Sequence, residues 1–150
     1  MIEIFIGSIR VTLEKLKLLM RNITVIFISS ALGIFSIIIP IFINEGVEHY
    51  NSPLFPILRT GIEGFSSYSL LFLFISGFIV KLYSKMNFAI IGLSIMMAFP
   101  AASIIEIFYD RTSHNMLPFE FIFYLFLTVP PIIGAFFGLV ARKGYERYKM

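Results

Sequence analysis

The 150-residue chain has no cysteine, no tryptophan, only two histidines and only 14% charged residues. Without Cys there is no disulfide-stapled module, no thiol nucleophile and no thiolate metal centre, although any redox compartment stays open. Two scattered histidines do not make a paired zinc-binding motif, and neither a Gly-x-Ser-x-Gly elbow nor a phosphate-cradling Gly-rich loop is present. No cofactor is expected. Soluble domains carry about a quarter charged residues, so 14% charged with 58% apolar and a mean hydropathy of +0.90 excludes a soluble globular fold. The same hydrophobicity excludes disorder, and ten glycines are too few for collagen.

What is present is a set of long apolar runs. A helix needs roughly 20 apolar residues to cross a bilayer, and four runs qualify: Ile23 to Ile43, Phe65 to Leu82, Phe88 to Phe108 and Phe119 to Ala141. Lipid cannot satisfy open backbone groups, and alternating strand patterns are absent, so the runs are expected to be helices. The expected fold is an all-α membrane protein, a single membrane domain with four transmembrane helices in a bundle.

Orientation follows from Lys and Arg, which are retained on the cytoplasmic side. Ten fall before the first run, at the end of the second or between it and the third, or after the fourth: Arg10, Lys15, Lys17, Arg21, Lys81, Lys85, Arg142, Lys143, Arg147 and Lys149. Only Arg59 and Arg111 fall in the other two connections. Both termini are therefore expected in the cytoplasm, of a prokaryotic inner membrane given the small size and lack of eukaryotic targeting features. Six of the nine acids, Glu45, Glu48, Glu63, Glu106, Asp110 and Glu120, lie on or near the outer side. The basic inner face points to anionic lipid as a partner, not nucleic acid.

Residues 1 to 21 place Ile2, Phe5, Ile6, Ile9, Leu13, Leu16 and Met20 at helical spacing, with Arg10, Glu14, Lys17 and Arg21 opposite. This predicts a short amphipathic helix lying in the headgroup plane, or docking a cytoplasmic partner. The connection Asn44 to Gly64 reads as an outer loop whose Leu54 to Leu58 stretch dips toward the membrane, with Arg59 pairing Glu63 one turn on. Gly134 and Gly138, and the stripe Ser94, Ala98 and Ala102, predict close pairing of the third and fourth spans. Pro100 and Pro130-Pro131 are expected to bend them.

The chemically informative residues are Glu106, Asp110, His114, Glu120 and Tyr124. Glu106 extends the small-residue stripe and should face helix and not lipid. It sits near the negative C-terminal end of its helix, whereas Glu120 sits near the positive N-terminus of the next. Glu106 therefore needs a cationic neighbour, a bound cation or a proton. Three readings follow. In the first, the acids are tied to Arg59, Arg111 and loop hydroxyls and pin the outer helix ends of a structural or accessory subunit, alone, as a homo-oligomer or within a larger membrane complex. In the second, the cluster is a cation- or proton-binding vestibule of a small transporter or channel. In the third, His49 or His114 with Glu106 holds a metal for hydrolysis at the membrane surface.

Overall fold

The computed structural model describes residues 2–43, 52, 54–110 and 117–149 and, within them, the side chains of all but residues 2–8 and 117. Every regular element among these is a helix: α1 (Ile2–Ile43), α2 (Pro56–Glu63), α3 (Ser67–Tyr83), α4 (Phe88–Met96), α5 (Ala98–Tyr109), α6 (Leu117–Leu127) and α7 (Val129–Tyr148). Three stretches are long and apolar enough to cross a membrane: one within α1, one formed by α4 and α5, and one by α6 and α7. The pair α2 and α3 makes a fourth when taken as one unit, with a bend of 108° between its halves. At 17 residues α3 alone reaches about 26 Å, slightly short of the roughly 30 Å hydrocarbon layer.

The N-terminal segment is not a separate interfacial helix. It runs without interruption into the first span as a single 42-residue helix. The physical reason is local: residues 8–32 contain neither Gly nor Pro, and the one polar step, Asn22 to Thr24, does not break the ladder. Thr24 turns its hydroxyl back to the Met20 carbonyl at 3.0 Å, inside the helix. Ile9, Leu13, Leu16 and Met20 are all exposed, so this stretch of α1 finds no cover among the described residues.

The connection between α1 and α3 is more regular than expected. Pro56 supplies the fixed φ of a first helical position and α2 follows, ending where the Gly64 N–H returns to the Thr60 carbonyl at 2.8 Å. Gly61 is buried against Ile37 of α1, which lays α2 across the end of that helix. At the start of α3 the Ser66 N–H donates to the Ser69 hydroxyl at 3.3 Å, and the Ser69 N–H to the Ser66 carbonyl at 3.0 Å.

The proline bends lie where the lost hydrogen bonds place them. Pro100 and Pro131 cannot donate to the carbonyls four residues earlier, and the helices break at Met97 and Thr128. Both breaks tighten to i−3 bonds, Met97 N–H to Ser94 O at 3.4 Å and Thr128 N–H to Leu125 O at 3.1 Å. The Ser94 carbonyl at the first break also accepts the Ser30 hydroxyl of α1 at 2.7 Å.

The most extensively packed helix pair is α3 with α7. A methyl group at Gly77 would overlap the Pro131 carbonyl, and one at Gly134 would overlap the Phe74 carbonyl. Gly134 and Gly138 therefore serve the second span, not the third as expected. The third span meets α7 through Gly92 and Ile132. The turn at Met97 also interrupts the expected small-residue stripe, so the buried face of α5 is Phe99, Ser103 and Glu106. Ile37, Leu73, Ile91 and Ile95 are wholly buried at the centre, and Ser36 and Ser76 share a buried hydrogen bond of 2.8 Å between α1 and α3.

Candidate functional site

Glu106 sits in the last turn of α5, 4% exposed. Its own helix end disfavours a negative charge, and the remedy comes from the connection between α1 and α3. Carboxylate Oε1 accepts the Phe55 N–H at 3.0 Å, the Leu54 N–H at 3.4 Å and the Ser52 hydroxyl. Ser52 Oγ also accepts the Phe55 N–H at 3.2 Å. These donors lie at the entrance of α2, whose positive end favours an anion. The acid thus leaves one dipole's negative end to cap another helix's beginning.

Arg59, on α2, forks between two acids. Nη2 meets Glu63 at 2.9 Å and Nη1 meets Glu120 at 2.9 Å. The guanidinium is always charged and its donors are set in a rigid plane, which suits two simultaneous carboxylate partners. The Glu63 contact is the one-turn pairing expected from spacing, and the Glu120 contact joins α2 to the first turn of α6. Both Arg59 and Glu120 are largely withdrawn from solvent, with side chains 28% and 17% exposed.

Tyr124, one turn beyond Glu120, is buried and shares a 2.9 Å hydrogen bond with Ser103, one turn before Glu106. Its ring lies 6.2 Å from that of Phe99. Arg59, Ser103, Glu106 and Tyr124 together line a cavity of about 20 Å³, room for a single water. Glu106, Glu120, Tyr124, Arg59 and Glu63 are therefore drawn to one locality. Asp110 ends α5, its N–H bonded to the Glu106 carbonyl at 2.7 Å. His49, Arg111 and His114 lie outside the described residues. Among the described residues, no three of His, Cys, Asp and Glu gather as metal ligands.

Sequence reasoning missed Ser52, Ser103 and the two backbone donors. Ser103 carried a signal, one turn before Glu106 on the same helix face; Ser52 and the Leu54 and Phe55 N–H groups carried none. The chain matches no protein-family model, no curated protein and no solved structure.

Proposed function

We propose that the chain is a structural or accessory subunit of a membrane assembly, crossing a prokaryotic inner membrane four times with both termini in the cytoplasm. In this reading the acidic cluster is a clasp that fixes α2 over the outer end of the helices. One observation carries it: Glu106 and Glu120 are already engaged by their own chain, through the α2 entrance and through Arg59. Acids committed to backbone donors and a guanidinium act first as fasteners.

The test reconstitutes the wild-type chain in liposomes and compares it with Glu106→Gln. The expected result is no proton or cation flux from either protein, and a lower unfolding midpoint for the variant in detergent. Flux that Glu106→Gln abolishes at unchanged stability overturns the clasp.

That outcome would favour a second reading, a cation or proton pathway. The cavity beside Glu106, Ser103 and Tyr124 is the observation on its side. At about 20 Å³ it holds one water and no continuous file, so a pathway of this kind would need further copies of the chain to complete it.

A further inference from the structure

The opposite end of the molecule carries a different set of groups. The turn between α3 and α4 is held from two sides: buried Lys81 donates to the Met86 carbonyl, and Arg142 of α7 donates to the Ser84 carbonyl at 3.1 Å. Met86 N–H donates to the Ser84 hydroxyl at 3.1 Å. Asn87 caps α4 by accepting the Ala89 N–H at 2.9 Å through Oδ1, which leaves its amide N–H₂ as a donor. The turn is thereby tied to α3 and α7.

Between that turn and α1 lies a groove of about 520 Å³, with Arg21, Asn22, Lys85 and Asn87 along its polar walls and Tyr83 at its mouth. Arg21 and Lys85 are exposed and in no ion pair among the described residues. Leu18, Val25 and Ile90 add apolar lining, and Ile90 also lines a second groove of about 460 Å³ together with Leu93, Met97, Pro100, Phe121 and Leu125. From Asn87 to Pro100 is thirteen helical steps, about 20 Å, which equals half of a bilayer about 40–45 Å thick with its headgroups. Two cations and an amide donor thus stand at one end of a row of apolar lining residues about one leaflet long.

We propose that these two grooves join at Ile90 into a binding site for one anionic phospholipid, its phosphate between Arg21 and Lys85 and an acyl chain along Ile90, Leu93 and Met97. The charge of the polar end selects an anionic headgroup, and the length of the apolar end selects a lipid over a free anion. The leaflet it belongs to, the cytoplasmic one, rests on the proposed topology; the site itself does not.

The test titrates delipidated full-length protein in mixed micelles with phosphatidylglycerol, phosphatidylcholine or inorganic phosphate, reading the unfolding midpoint and the lipid retained per chain by mass spectrometry. Phosphatidylglycerol is expected to raise the midpoint and remain bound, and the other two are not. Arg21→Gln with Lys85→Gln is expected to weaken retention about thirtyfold, the factor for losing two cations at a lipid surface. Ile90→Trp, at an exposed position, is expected to block the channel and weaken retention with both cations in place. Arg147→Gln with Lys149→Gln, an equal charge change at the exposed end of α7, is expected to leave retention unchanged. The site is overturned if that control loses as much lipid as the Arg21 and Lys85 pair, if phosphatidylcholine binds equally well, if inorganic phosphate alone reproduces the stabilisation, or if folded Ile90→Trp retains lipid like the wild type.

Discussion

At Glu106 a carboxylate lies at the unfavourable end of α5 and at the favourable entrance of α2. Charge-assisted hydrogen bonds of this kind contribute about 1.5–3 kcal/mol each in context. Glu106→Gln keeps the shape but removes the charge and turns an N–H₂ toward donors. It is expected to cost about 2 kcal/mol, read as a lowered midpoint of thermal unfolding in detergent. Two glycines give a sharper contrast. Gly134→Ala drives a methyl into the Phe74 backbone and is expected to destabilise by at least about 1–3 kcal/mol, because backbone cannot yield as a flexible side chain does. Gly144→Ala, in the same helix with nothing within 4 Å of the new methyl, is expected to stabilise by up to about 1 kcal/mol through helix propensity alone. Denaturant titration of the pair in one detergent should give opposite signs; the same sign for both would refute the close α3–α7 contact. At this scale the sequence was partly legible. An acid closing a long apolar run marks Glu106, and a four-residue spacing marks Arg59 with Glu63. The donors to Glu106 are main-chain groups of an irregular connection, which no residue type announces. The Arg59–Glu120 pair spans 61 positions, so it exists only once the chain has folded.

The elements divide by what each packs against. Helices α3 and α7 are joined through glycines and α1 through buried serines, where small and hydroxylated residues allow backbones to approach in the absence of a hydrophobic drive. Residues 9–20 of α1 make no such contact among the described residues and are exposed on every face. Deleting residues 2–16 is therefore expected to change unfolding stability by less than about 0.5 kcal/mol, with the helical circular dichroism falling only by the residues removed. A large loss of stability would mean that this half of α1 supports the fold. Apolar patterning marked the long apolar helices, and the prolines located the breaks at Met97 and Thr128. It did not reveal that α1 is continuous, because an amphipathic pattern followed by an apolar run is written the same way whether or not the helix bends between them. It also misassigned the partner of Gly134 and Gly138, since small residues mark a close approach without naming the neighbour.

For the whole molecule, the decisive quantity is the side on which each end emerges. A chain without cysteine permits single-site labelling with no background. Leu54→Cys is expected to react with an impermeant maleimide in intact cells, and Lys85→Cys and Tyr148→Cys only after permeabilisation. Labelling of Lys85→Cys and Tyr148→Cys from opposite sides would remove the proposed even number of crossings. The long helix α1 has a mechanical consequence of its own. Forty-two residues make a rod of about 63 Å, roughly twice the hydrocarbon thickness. A span that rocks by ten degrees about the membrane would sweep a free arm of about 30 Å through about 5 Å at its tip. Small reorientations among the packed helices would thus be amplified at the amino-terminal end.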